Sequence, residues 1–181
     1  DRNAGIPSAV KDLTKTFDYN DINGLRRMFE EYKDRVAAVI MEPVIAEKPT
    51  DNFLENVKTL THENDALLIF DEMISGFRFA MGGIQEYLDV VPDLATFGKG
   101  LTNGMPLGVL AGKEEYMKEF DKVFLSSTYA PEALTLAATS ANIDFYKKNN
   151  VINELWNKGR HIENGFNLVI DKYSIRKNIS L

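Results

Sequence analysis

Two side chains near the middle of this 181-residue chain have the types and spacing to do chemistry together. Asp71 follows the short apolar run 66–70, and Lys99 follows a second run, 94–97, after one glycine. A turn rich in small residues, 100–106, comes next. Small neighbours on both sides of Lys99 let a bulky group approach it. A lysine desolvated in such a place keeps a neutral amine that can attack an aldehyde. A carboxylate at a strand end can hold a ring nitrogen protonated by its opposite charge. Taken singly, each also fits a plainer role, Lys99 as an exposed loop lysine and Asp71 as a helix N-cap.

Other residues fit around that pair. Met73 can pack on a ring face or simply fill core. Ser127 and Thr128 precede a helix start expected at Pro131, where hydroxyls and free N–H groups make a phosphate site, or an ordinary cap. Glu47, in a loop after an apolar run, can reach the same crevice or stay solvated. The planar fork of Arg78 suits a substrate carboxylate, and equally a surface salt bridge. An aldehyde for a lysine, a pyridine nitrogen for an acid and a phosphate for a hydroxyl turn together describe pyridoxal phosphate.

Composition removes other classes. The net charge of −6 and the absence of any basic patch argue against a nucleic-acid or anionic-membrane partner. With no cysteine, disulfides and thiolate metal sites are out. The two histidines, His62 and His161, sit in charged helical surroundings and read as solvated, so a zinc or His-triad hydrolase is not expected, and no metal site is assigned. No apolar run reaches the roughly 20 residues that span a bilayer. The chain shows no signal-peptide pattern and no initiator Met, so it is expected to be cytoplasmic and to begin inside a longer protein.

These residues need a sheet to hold them. Continuous short apolar runs at 36–41 and 66–70 read as strands buried on both faces, as in a parallel sheet. Runs at 94–97 and 107–111 add two more, and 13–17 alternates like a short strand, after a loop over 1–11. Helical spacing places Ile22, Leu25, Phe29 and Tyr32 on one helix behind an Asn20-Asp21 cap, and Phe53, Val57 and Leu60 on another. Short helices are expected at 84–88 and 113–120, and a longer one from Pro131 to Tyr146. The last helix, from Ile152, carries Leu155, Trp156, Ile162, Phe166 and Ile170 on its apolar face. Strands alternating with helices imply an α/β fold, in which ligands bind beyond the carboxyl ends of the strands. Glu42, Asp71 and Lys99 all fall there.

The motifs resemble a known family. Leu68-Ile-Phe-Asp-Glu-Met-Ile-Ser-Gly-Phe-Arg78 is similar to the cofactor-aspartate segment of class III aminotransferases, and the run from Pro92 to Gly108 is similar to their lysine segment. Val39-Ile-Met-Glu-Pro-Val44 resembles their preceding strand. The resemblance implies part of the fold type I large domain, a mostly parallel sheet flanked by helices. Residues 1–150 would be the C-terminal half of that domain, and 151–181 a helix leading towards a small domain. It implies pyridoxal phosphate bound to Lys99 as an aldimine, with Lys99 then moving the substrate proton. It also implies Asp71 on the ring nitrogen, Met73 on the ring, and Thr128 on the phosphate of a neighbouring subunit in a homodimer. The partners would be a small amino donor and a keto or aldehyde acceptor. Ile74 stands where aminotransferases of the ornithine and GABA type usually carry Gln, which favours the glutamate-1-semialdehyde aminomutases within the family. Glu47 and the turn 128–132 depart from those mutases. Amino transfer, an internal amino shift and an idle dimerising fragment are the three readings this leaves.

Overall fold

The computed structural model describes residues 4–50, 52–124, 126 and 132–176. Four strands form one sheet in the order β1 (Ala38–Met41), β2 (Leu67–Asp71), β3 (Leu94–Phe97), β4 (Val109–Gly112). β1–β2 and β2–β3 are parallel, and β4 returns antiparallel to β3. Before β1 come α1 (Ser8–Lys11) and α2 (Ile22–Glu31). α3 (Phe53–Glu63) connects β1 to β2, α4 (Ile84–Tyr87) connects β2 to β3, and α5 (Glu114–Met117), α6 (Ala133–Asn149) and α7 (Val151–Tyr173) follow β4. This is the mixed α/β architecture with a mostly parallel sheet that the alternation of runs predicts.

Local chemistry explains the main elements. The Asp21 side chain accepts the Gly24 N–H at 2.8 Å and so starts α2. Leu25 and Phe29 of α2, with Phe53, Leu54, Val57 and Leu60 of α3, bury the face they share against Val39, Leu68, Phe70 and Ala95 of the sheet. The strands alternate rather than bury both faces. In β1, Val39 is 5% exposed and its neighbour Ile40 is 62% exposed. The expectation of strands covered on both sides is therefore corrected: α2 and α3 cover one face, and the face carrying Ile40 is open among the described residues. An apolar run reads alike in either case, because the number of covering layers is not written in it.

Three smaller expectations also change. Residues 13–17 form no strand, since Leu13 and Thr14 are drawn into turns on Val10 and Lys11 and face no strand edge. The loop expected over 1–11 holds the single turn α1, whose Val10 and Lys11 N–H groups bond the Pro7 carbonyl at 3.0 Å. The apolar face of α7 is used only in part. Trp156 donates from Nε1 to the Phe79 carbonyl at 3.1 Å and stacks on Tyr87, while Ile162 and Phe166 further along are exposed. No helix among the described residues is long and apolar enough to cross a membrane.

At the amino end of β3 a buried carboxylate ties the layers together. Asp93 Oδ2 accepts the Leu68 N–H at 2.7 Å and lies 2.9 Å from His62 Nε2, and Oδ1 accepts Lys113 Nζ at 2.6 Å. His62 is exposed on α3, as expected, and its ring also reaches this buried carboxylate. Burial alone would push the Asp93 carboxyl up. The hydrogen bonds from Lys113, Leu68 and His62 outweigh it and hold the group below the usual carboxylate range. Its contribution is complete above the unfolded value of about 3.9 and fades as pH falls through the folded value. Asp93→Ala is expected to lower stability by about 2 kcal/mol at pH 7, the scale of a buried hydrogen bond to a charged group. Urea unfolding of both proteins should show that gap narrowing once the pH drops below about 4.

Candidate active site

The parallel register sets the site. Asp71, last in β2, pairs with Thr96 of β3, and Thr96 pairs in turn with Leu110 of β4. In a strand, successive side chains alternate faces. Phe70 enters the core, so Asp71 and Thr96 stand on the opposite, open face. Asp71 Oδ1 accepts two hydrogen bonds, each 3.0 Å: one from the Met73 N–H and one from Thr96 Oγ1. No hydrogen bond to Oδ2 forms among the described residues. Three residues beyond Thr96 comes Lys99, off the same sheet edge.

Lys99 opens a 3-10 turn, Lys99–Leu101, with φ +40°. A non-glycine residue at positive φ is sparsely populated and persists only when its surroundings hold it. Here they do. The Lys99 carbonyl accepts the Asn103 N–H at 2.8 Å, and Asn142 of α6 donates from Nδ2 to the Gly100 and Leu101 carbonyls at 3.0 and 2.8 Å. The lysine side chain is exposed. The desolvation expected from the sequence is not supplied by the described residues, because Gly98 and Gly100, not large side chains, flank it.

Two glycines are required for close approach. A Cβ on Gly98 would collide with the Met73 side chain, and one on Gly100 would sit 3.0 Å from the Gly76 carbonyl and 3.3 Å from Arg78 Cζ. The 73–78 turn and the 98–101 turn therefore touch through the Met73 side chain at Gly98 and the Gly76 backbone at Gly100. Met73 lies half-buried against Gly98, next in sequence to Lys99. Arg78 is exposed, lies over Gly100 and donates to the Tyr146 hydroxyl at 3.3 Å.

Glu47 stands off to one side. It is exposed and accepts a long 3.5 Å contact from Asn20 Nδ2, in the loop that leads into α2. Its charge adds to burial in pushing the Tyr19 hydroxyl up to about 12. Glu42 is half-buried just past β1. Ser127, Thr128 and Pro131 lie outside the described residues. The first turn of α6 beyond them is already capped, since Glu132 accepts the Leu134 and Thr135 N–H groups at 2.7 Å each. Those bonds, that of Thr135 foremost, hold the Glu132 carboxyl below its usual range. The free N–H groups expected at that helix end are thus partly taken, by an acid.

Sequence reading missed three supports. Thr96 and Asn142 are described above. The third is Glu72, which is fully buried and takes the Ile84 and Gln85 N–H groups at 3.0 and 2.9 Å as well as the Ser75 hydroxyl. It closes the loop 73–83 onto the start of α4. Its only signal was an acid directly after a strand, which Asp71 shares. A cavity of about 660 Å³ between α4 and β3–β4, lined by Gln85, Val91, Leu94 and Ala111 among others, includes neither Asp71 nor Lys99.

A family model described as class-III aminotransferase matches residues 3–180. The glutamate-1-semialdehyde 2,1-aminomutase of Methanosphaera stadtmanae is 35% identical, over 97% of this chain and 43% of that protein. The 3-aminobutyryl-CoA aminotransferase of Cloacimonas acidaminovorans is 36% identical, over 97% and 44%. Among solved structures, an omega-transaminase from Sphaerobacter thermophilus aligns with a TM-score of 0.70 at 33% identity, over 78% of this chain and 35% of its own. The FumI protein of Sphingopyxis sp. MTA144, in its PLP internal aldimine form, aligns with a TM-score of 0.87 over 94% of this chain and 43% of its own, and at 22% identity supports the fold alone. The chain spans about two fifths of the length of the curated relatives it matches.

The contact between Met73 and Gly98 makes a prediction. Gly98→Ala should displace the Met73 tip and cost about 1–2 kcal/mol, the scale of local overpacking. In a Met73→Ala background the same change should cost less than half as much, read by thermal unfolding of the four proteins of the cycle.

Proposed function

The chain belongs to the class III aminotransferases, and on that premise we propose that it forms part of an enzyme that transfers amino groups with pyridoxal phosphate as its cofactor. One observation carries the reading. Asp71 and Lys99 leave adjacent strands at the same sheet edge, and Asp71 Oδ2 has no hydrogen-bond partner among the described residues. The residues fit the group. Oδ2 would take the ring nitrogen, Met73 would lie on the ring, and the exposed Lys99 amine would meet the aldehyde. When bound, pyridoxal phosphate supplies an aldehyde for amines and a protonated ring that accepts electrons from the bond broken in the substrate.

The chain's own groups do the rest. Asp71, as a carboxylate, keeps the ring nitrogen protonated. Lys99 Nζ takes a proton from the substrate α-carbon and returns it at the acceptor carbon. Arg78, with N–H groups beyond the one spent on Tyr146, and Glu47 are the substrate-facing candidates. Ser127 and Thr128 are assigned to phosphate, Thr128 to that of a neighbouring subunit, so the assembly is a homodimer. The substrates are a small amino donor and a keto or aldehyde acceptor, and the site of action is the cytoplasm. Residues 1–150 serve as the C-terminal half of the cofactor-binding domain, and 151–181 lead towards a small domain.

A second reading, an internal amino shift, draws on the aminomutase name of several relatives at 35–39% identity. It differs in needing no external keto acid, so product formed from one substrate alone would select it.

The reading is tested by mixing the protein with pyridoxal phosphate, reducing with borohydride and mapping the added pyridoxyl mass. The mass is expected on Lys99, and Lys99→Ala should carry none. A folded protein labelled elsewhere, or not at all, would contradict the reading.

A further inference from the structure

Asp71 can do its work only if one particular oxygen faces the cofactor. A carboxylate turns about its last side-chain torsion with little preference, since that torsion is broad and two-fold. Two donors remove the freedom here. The Met73 N–H reaches Oδ1 from two residues ahead, a local turn contact of the kind Asp side chains make with their own backbone. It ties the carboxylate to its own strand end. The Thr96 hydroxyl reaches the same oxygen from β3. Against an ionised carboxylate, which only accepts, the hydroxyl must donate. Threonine is stiff about χ1, so the donor is itself fixed by its strand.

We infer that Thr96 is the positioning residue for the cofactor's ring nitrogen: by holding Asp71 Oδ1 it presents Oδ2, and it sets that oxygen relative to Lys99, three residues further along the same chain segment. This inference rests on the cofactor reading above. Thr96 touches neither substrate nor cofactor in this role. It joins the acid of β2 to the strand that delivers the lysine, beside the ladder bond from the Glu72 N–H to the Thr96 carbonyl at 3.0 Å.

The test compares two ligands on the full-length protein: pyridoxal phosphate and its 1-deaza analogue, which carries a C–H where the ring nitrogen stands. Thr96→Val removes the hydroxyl and nearly keeps the shape. It should weaken pyridoxal phosphate about tenfold, the low end for a hydrogen bond to a charged group, and change the affinity of the deaza analogue less than about twofold, because that ring offers Asp71 nothing to bind. Thr96→Ser keeps the donor and should return pyridoxal phosphate binding to within about threefold of wild type. Thr96→Ala serves in place of Thr96→Val if the latter does not fold by circular dichroism. Equal weakening of both ligands would make Thr96 merely structural and overturn the inference, as would unchanged binding of both. Wild-type protein that takes neither ligand on Lys99 would overturn the cofactor reading and this inference with it. Normal wild-type binding with an unaffected valine variant would overturn this inference alone.

Discussion

The register between β2 and β3 is the constraint on which the site depends. Because Asp71 pairs with Thr96, the acid and the hydroxyl bonded to it stand on one face, and the lysine follows at the same sheet edge. A slip of one residue would turn Asp71 towards the core and Phe70 and Leu68 out of it. Both are fully buried, and exposing them would cost about 2 kcal/mol each in transfer free energy. The apolar side chains on one face of β2 thus fix the polar one on the other. At the far end of β3, Asp93 repeats the logic, clasping the Leu68 backbone and Lys113 so that β2, β3 and the segment after β4 stay aligned.

Beyond the sheet edge no ladder holds the chain, and buried polar groups take over. Glu72 gathers the 73–83 loop onto α4, and Asn142 of α6 fixes the turn that Lys99 opens. Between these two loops the glycines permit close contact, Gly98 with the Met73 side chain and Gly100 with the Gly76 carbonyl. Phe77, itself at positive φ, packs its ring edge-on against Tyr146 and so brings α6 to the same place. Fully satisfied networks of this kind hold one geometry, and a partly broken one is costly. The strained Lys99 backbone is therefore held from three directions. Its side chain is left open.

Much of this was legible in the sequence. Runs that end in an acid or a lysine mark the carboxyl edge of a parallel sheet, and Asp71 and Lys99 stand there. Helix caps such as Asp21 were legible too, because a cap is a local contact. What was not legible is what needs a neighbour from far along the chain. The apolar run 36–41 could not say that Ile40 lacks a covering layer, nor could the apolar face of α7 say that Trp156 docks while Phe166 does not. His62 read as solvated, and it is exposed, but its bond to Asp93 could not be read because that partner lies 31 residues away. Thr96 was an unremarked residue of a motif, since its bond to Asp71 exists only once the two strands are in register. Lys99 was expected to be desolvated from its small neighbours, yet small neighbours also leave a side chain exposed.

The central claim is that Asp71 holds a cofactor ring nitrogen protonated opposite Lys99. Nitrogen-15 NMR of the protein loaded with pyridoxal phosphate labelled at that nitrogen reads this directly. The account predicts a protonated pyridinium signal in the wild type near neutral pH, and a neutral pyridine signal in Asp71→Ala under the same conditions. A neutral ring nitrogen in the wild type, or a protonated one that survives loss of the Asp71 carboxylate, would contradict it.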